Sequence, residues 1–330
     1  MSDIAISIEG ITPELIEAYK LSGMDRGKSG VRALDWAFGG SSDVFAIARQ
    51  GGRIVGLSSY IPTKIKLGHV SGTAFQAVDS FVSPDLRGKG LFTKLAGTYE
   101  EHTSKKGHDL IWGFPNDNAA PAWFKKIGWT KHGQVPFLIK PLRAGYFFRK
   151  LRLPFDFHLS TSRDQRIAAV HKLGDWADAL WENFSHQVSV GTIRDRSYLM
   201  HRLFGSPQSD RYRIVIDAST ERGALVATRE EYKHGGHIAY LMEAMGGASL
   251  DELLQSEIGR LRERGAEVVL GWSFPWSPNY RSLRRAGFLP LPERLRPIRV
   301  WFGSRALSAR AAVSANAGKW YLSYLDSDTV

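Results

Sequence analysis

The sequence predicts an α/β protein of the α+β type, built from two similar units. Three observations predict it. The chain has 330 residues, 43% of them hydrophobic, enough for two separate cores. Apolar stretches of strand length alternate with stretches of helical periodicity. One arrangement of glycines, an apolar strand and a short basic helix recurs about 160 residues later.

The first half can be justified element by element. Residues 6–11 alternate as a short strand, and Thr12-Pro13 starts a helix, with threonine as N-cap and proline at the first position. Residues 44–48 and 54–61 flank Gln50-Gly51-Gly52-Arg53, a hairpin signal. Residues 75–82 form a further strand. Leu91, Leu95 and Tyr99 share one face of a helix that Gly107 ends. Residues 109–114 read as a strand, 119–127 as a short helix closed by Gly128, and 136–140 as the last strand of this half.

Between the strand at 75–82 and the following helix lies Val82-Ser83-Pro84-Asp85-Leu86-Arg87-Gly88-Lys89-Gly90-Leu91-Phe92. Glycines let backbone N–H groups converge on one point. A helix N-terminus adds unpaired donors and partial positive charge. Arg87 adds a planar fork and Lys89 a point charge. The stretch therefore suits a diphosphate; a plain turn with two solvated cations is the competing reading.

At these residues the chain resembles the GNAT superfamily of acyl-CoA-dependent N-acyltransferases. The family signature, Arg/Gln-x-x-Gly-x-Gly/Ala, reads here Arg87-Gly88-Lys89-Gly90-Leu91-Phe92, departing at Phe92. The later motif is matched from Asn116 through Lys126-Ile127-Gly128-Trp129. The resemblance covers residues 1–142. It implies a mixed central sheet, flanked by helices and splayed between its fourth and fifth strands. It also implies direct acyl transfer from the CoA thioester to an amine, with no metal. Phe81, Val82, Arg87, Gly88, Lys89, Gly90, Leu91, Phe92 and Asn116 are then the expected acyl-CoA contacts. The backbone of Phe81 or Val82 is the expected donor to the thioester oxygen. Asn116 is read either as a pantetheine contact or as the cap of the next helix. The family's usual acid is a tyrosine, and Phe124 stands in its place.

Asp79 is the candidate general base. It interrupts an otherwise apolar strand, where a carboxylate must be paired, hydrated or part of a site. A hydrogen-bonded structural aspartate is the alternative. His108 and His132 read as surface or loop histidines, and His201 as part of an amphipathic helix.

The second half repeats the first. Lys106-Gly107 to Gly113-Phe114 matches Arg264-Gly265 to Gly271-Trp272, and Lys126-Ile127-Gly128-Trp129 matches Arg285-Ala286-Gly287-Phe288. Val78-Asp79-Ser80 corresponds to Met242-Glu243-Ala244. The segment between strand and helix is six residues shorter in the second copy and carries Asp251 and Glu252 instead of cations. Acids there complement the helix dipole and repel a diphosphate. Two tandem GNAT-like domains are expected. Residues 1–145 hold the acyl-CoA site, 146–163 link, and 164–330 lack the diphosphate loop and shape the acceptor cleft. Helices are expected at 163–186 and 194–204, a strand at 212–217, and docked aromatics at 320–322.

Composition narrows the function. The chain has no cysteine, which excludes disulfides, thiolate catalysis and cysteine-based zinc sites and suits a reducing, cytoplasmic setting. No run of 18 apolar residues reads as a membrane span, and residues 1–5 do not read as a signal peptide. The net charge of +11 favours anionic partners. The tandem arrangement, the Gly-Phe-Pro-Asn segment and the Trp-Tyr ending with Asp-Ser-Asp resemble GNAT proteins of surface-polysaccharide pathways. Those acylate a nucleotide-linked amino sugar. Arg281, Arg284, Arg285, Arg294 and Arg296 are candidates for a second anion site. A cationic acceptor such as an aminoglycoside calls for an acidic cleft, against this charge. Nucleic-acid binding is the reading from another class, kept open by the basic residues interleaved with aromatics at 146–152, but no recognition-helix or stacking-sheet motif supports it. The sequence leaves both monomer and homodimer open.

Overall fold

The computed structural model describes residues 4–22, 31–150, 156, 157, 159, 167–218, 223–233, 235–296 and 298–327. The expected helix start at 163, Arg152, most of the linker and Asp328 lie outside them. The strands are β1 (Ala5–Glu9), β2 (Phe45–Gln50), β3 (Arg53–Leu67), β4 (Val70–Val82), β5 (Leu110–Gly113), β6 (Thr130–Gln134) and β7 (Phe137–Pro141). They continue with β8 (Val190–Thr192), β9 (Tyr212–Asp217), β10 (Ala224–Lys233), β11 (Gly236–Gly246), β12 (Val268–Trp272), β13 (Leu289–Pro290) and β14 (Trp301–Ala306). The α-helices are α1 (Pro13–Leu21), α2 (Val31–Phe38), α3 (Leu91–Lys105), α4 (Gly145–Lys150), α5 (Trp176–Ser185), α6 (Arg196–Leu199), α7 (Leu250–Glu263) and α8 (Tyr280–Arg285). No described helix is long and apolar enough to cross a membrane.

The chain divides into two compact units. One comprises Met1–Gln134 with Arg299–Lys319; the other comprises Val135–Ile298 with Trp320–Asp328. This corrects the domain bounds drawn at 145 and 164. The first unit ends its N-terminal stretch at Gln134 and is completed from the far end of the chain.

In the first unit the strands run in the order β1-β2-β3-β4-β5-β14-β6, with β4 and β5 parallel. Thr12 caps α1 as the sequence predicts, its hydroxyl accepting from the Leu15 N–H, with Pro13 in the first turn. The β3–β4 hairpin is longer than its apolar residues suggest, pairing from Gly56↔Val82 to Leu67↔Val70. Its outer part alternates lysines and threonines with buried Ile65 and Leu67, a half-exposed pattern without an apolar run. Two apolar layers cover the sheet. On one face α3 packs Leu91, Leu95, Ala96 and Tyr99 against Tyr60, Phe75 and Ile111. On the other, α1 and α2 pack Leu15, Tyr19, Leu34 and Phe38 against Phe45, Ile47 and Leu57.

In the second unit the order is β13-β7-β12-β11-β10-β9, again with one parallel pair, β11 and β12. Helix α7 covers one face through Leu250, Leu253, Leu254, Ile258 and Leu261. The second sheet repeats the plan of the first without β1, and with an exchange. The strand expected at 136–140 exists as β7, but it lies between β12 and β13 of the second sheet, with Leu138 in that unit's core. Its place in the first sheet, between β5 and β6, is filled by β14. The linking residues explain the failure to turn back. A two-residue hairpin needs positive φ, which Val135-Pro136 disfavours: valine is β-branched and proline is fixed near −65°.

Candidate active site

Strand β4 builds the site. Its parallel pairing with β5 stops at Ala77↔Gly113, whereas its pairing with β3 continues to Val82. Residues 78–82 thus have an edge without a β5 partner, the splay that the resemblance implies. Gly113 marks where it opens: a Cβ there would lie 2.7 Å from the Ala77 carbonyl oxygen. The Ser83 N–H donates to Val55 O at 2.9 Å, so strand alternation turns the Val82 peptide groups the other way, to the open edge. The Arg87 Nε reaches Val82 O there at 3.0 Å. Of the two expected backbone donors, Val82 rather than Phe81 faces the splay; Phe81 packs toward the α1–α2 layer.

After β4, a 3-10 turn at Pro84–Leu86 leads into Arg87-Gly88-Lys89-Gly90 and α3. Gly88 and Gly90 are left-handed, with φ of 78° and 81°, and a Cβ on either would meet nothing within 4 Å. The space above them is open, and L side chains would strain the backbone. Gly90 is the N-cap of α3 and carries no side-chain acceptor, so the N–H groups of Leu91 and Phe92 keep their donors for an outside ligand. Arg87 and Lys89 are both exposed beside them. This cradle fits a diphosphate: converging backbone donors, the N-terminus of a fifteen-residue helix and two exposed cations.

Phe92, the departure from the signature, has a packing role. Its ring meets Trp123 edge-on at 5.1 Å and joins the apolar layer under α3, tying the cradle to the π-helical segment Ala122–Ile127. Phe124 sits in the same layer. Asn116 takes the capping role: its Oδ1 accepts from the N–H groups of Asn118 at 3.1 Å and Ala119 at 3.0 Å.

Asp79 sits in a β-bulge. Ser58 pairs with Ser80 but Tyr60 with Ala77, so β4 carries one extra residue at 78–79. A bulge re-aims side chains. Here Val78 and Asp79 both turn toward the α1 side, where the Tyr19 hydroxyl donates to Asp79 Oδ2 at 3.3 Å. Asp79 is 9% exposed. Cradle and carboxylate thus both adjoin the splayed end of β4, Asp79 within the strand and the cradle just after it. Tyr19, which touches the carboxylate, and Ser59, which bonds the Tyr19 hydroxyl, escaped the sequence reading, because a tyrosine on the apolar face of an amphipathic helix looks like core.

Other expectations fared differently. His132 lies half-buried on β6, with Nε2 2.8 Å from Ser304 Oγ, and burial pushes its pKa down to about 4. It is not a surface histidine. His108 pairs with Thr73 at the sheet end, and His201 lies exposed in the helical run 196–204. Three of the five arginines offered as a second anion site are engaged within the unit. Arg284 donates to Phe288 O, Arg296 to Leu291 O, and Arg285 pairs with Asp251 at 2.7 Å. A cavity of about 350 Å³ in the second unit borders Arg213, Arg260 and Arg264, whose charges are already met by Glu230 and Glu257.

The second unit repeats the bulge and disables it. Its parallel pair ends at Leu241↔Gly271, and its register shifts so that Met242 is the extra residue before Glu243. Glu243 therefore occupies the position of Asp79. Its carboxylate is fully buried and held by Arg194 Nε at 2.5 Å and by the hydroxyls of Tyr321 and Ser323. Arg194 also grips Asp326 at 2.5 Å, so the segment Trp320–Ser327 is seated on the sheet, with Tyr324 stacked on Trp272 at 4.5 Å. The aromatics expected to dock do so, and β11 runs into α7 without a glycine-and-cation loop.

The comparisons agree with this geometry. Residues 35–131 match the family profile described as Acetyltransferase (GNAT) domain. A GCN5-related N-acetyltransferase from Anabaena variabilis superposes with a TM-score of 0.66 at 12% identity, over 95% of this chain and 75% of that one. One from Kribbella flavida gives 0.60 at 15%, over 95% and 74%. An Enterococcus faecalis protein described as a probable N-acyltransferase gives 0.62 at 12%, over 94% and 74%. No curated protein matches the sequence. At such identities the likenesses establish the fold, two tandem GNAT-like units. The profile match puts a GNAT domain in the unit that carries the cradle. The chain is an acyl-CoA-dependent acyltransferase.

Proposed function

We propose that the protein moves an acyl group from acyl-CoA to the amine of a nucleotide-linked amino sugar, by direct attack in a ternary complex. The observation that carries the transfer chemistry is the splayed edge of β4, which ends in the Gly88–Gly90 cradle and carries Asp79 four residues before Ser83. Bound acyl-CoA supplies the acyl group as a thioester. Arg87, Lys89 and the N–H groups of Gly88 to Phe92 hold the diphosphate. The Val82 N–H donates to the thioester oxygen as it gains charge. Asp79 takes the proton of the attacking amine; the C–N bond forms, the C–S bond breaks and the thiolate departs. Holding both substrates together supplies much of the acceleration. The net charge of +11 supports an acceptor that carries a diphosphate of its own.

Thiol release tests this, with acetyl-CoA and longer acyl-CoAs against uridine-diphosphate-linked amino sugars, aminoglycosides and polyamines. Turnover with the nucleotide-linked amine is expected; turnover only with the cationic amines overturns the acceptor. Asp79→Asn should lower kcat by about 10²-fold or more with acyl-CoA affinity held. Unchanged kcat removes Asp79 from the chemistry. Arg87→Ala with Lys89→Ala should weaken acyl-CoA binding by about 10- to 100-fold, measured by calorimetry. Unchanged affinity would sink the cradle assignment.

A further inference from the structure

We infer that Tyr19 is a positioning residue for Asp79, with Ser59 fixing the tyrosine in turn; this rests on the reading of Asp79 as the general base. The Tyr19 hydroxyl stands between the two, 3.3 Å from Asp79 Oδ2 and 2.8 Å from Ser59 Oγ. Tyr19 is 2% exposed and Ser59 fully buried, so neither bond competes with bulk water. A phenol has one proton. When it is given to Asp79, the Ser59 hydroxyl must be the donor to Tyr19. The chain of donors runs Ser59 to Tyr19 to Asp79 and ends on an acceptor, which matches an ionised carboxylate ready to receive a proton.

The ring cannot swing away. It meets Phe38 edge-on at 6.5 Å and Phe45 at 6.2 Å, and those two rings pack at 4.7 Å. Helix α1, which carries Tyr19, is anchored at its start by the Thr12 cap. A base must be held in geometry to within a fraction of an ångström, and a bulge re-aims a side chain without fixing its rotamer. The second unit supplies the contrast. There the carboxylate at the equivalent bulge is clamped by a guanidinium, which neutralises it. A phenol orients the carboxylate without adding a positive charge.

The test uses the full-length protein, acetyl-CoA and the amine from the panel above that turns over fastest. Tyr19→Phe should lower kcat about tenfold, while KM for acetyl-CoA stays within about twofold and the melting temperature within a few degrees. Ser59→Ala should lower kcat about threefold. The decisive measurement is the double variant: adding Tyr19→Phe to Asp79→Asn should cost nothing further, because the tyrosine acts only through the carboxylate. If Tyr19→Phe leaves kcat unchanged, or if the two losses multiply, Tyr19 does not position Asp79 and the base assignment stands alone. If Asp79→Asn is fully active, or no amine turns over, the base assignment itself falls and this inference with it.

Discussion

Phe92 shows how a departure from a signature is resolved at the scale of one residue. A small residue at that place lets a helix start approach a ligand, but here the ring points the other way, onto Trp123. The cradle needs only the backbone N–H of residue 92, which any residue supplies. Truncation therefore has opposite consequences for stability and binding. Phe92→Ala should cost about 2 kcal/mol of stability, below the range for a fully buried phenylalanine because this one is half-buried. It should leave acyl-CoA affinity within about twofold, since no cradle donor is lost. Urea melts and calorimetry on one preparation check both. A sharp gain in affinity with no loss of stability would show that the ring obstructs the cradle.

At the scale of elements, β6 carries the most useful titration. His132 is held neutral by burial, with a folded pKa of about 4 against an ordinary 6.5. The unfolded chain binds a proton that the folded chain refuses, so stability is full above pH 6.5 and is lost as pH falls toward 4. The full loss is about 3 kcal/mol, and partial exposure trims it to about 2. His132→Gln should remove that dependence: between pH 7.5 and 4.5 the parent should lose about 2 kcal/mol more than the variant in urea melts. Equal losses would place the titration elsewhere. Elements also show what the sequence could disclose. The cradle was legible because glycine spacing and cations report backbone needs directly. The match of Asp79 to Glu243 was legible because each lies in the strand upstream of a recurring glycine–strand–glycine unit that ends at Gly113 or Gly271. The bulge that aims Asp79 at Tyr19 was not, since a bulge depends on the partner strand's register and Val78-Asp79 reads as plain alternation. The exchange of β7 and β14 was hidden for a similar reason. Both segments read correctly as strands, but pairing partners are set by cores that assemble from distant residues. The one local hint was Val135-Pro136, a poor turn between two strands.

At the scale of the whole chain, the buried triad Arg194–Glu243–Asp326 joins three segments far apart in sequence and fastens the C-terminal stretch onto the second unit. All three side chains are fully or nearly fully buried. Burial pushes the Asp326 carboxyl up, and Arg194 pulls against that shift. Arg194 also donates to Thr192 O at 2.7 Å and lies over the Tyr321 ring at 4.6 Å, so it satisfies β8, β11 and the C-terminal segment at once. Such a cluster need not stabilise relative to an apolar core of the same volume, because desolvation offsets the attraction. Removing one member is different, since it leaves charge buried without a counterpart. Arg194→Met should therefore destabilise by about 3 to 5 kcal/mol. Arg194→Met combined with Glu243→Leu and Asp326→Leu should recover most of that loss, because no uncompensated charge remains. Equilibrium urea unfolding of the single and triple variants measures the difference. If the triple variant recovers none of the loss and stays well below the parent, the attraction within the triad exceeds its desolvation cost. The carboxylate at the second bulge would then be retained for stability alone, in a unit whose counterpart of Asp79 is held shut by its own chain.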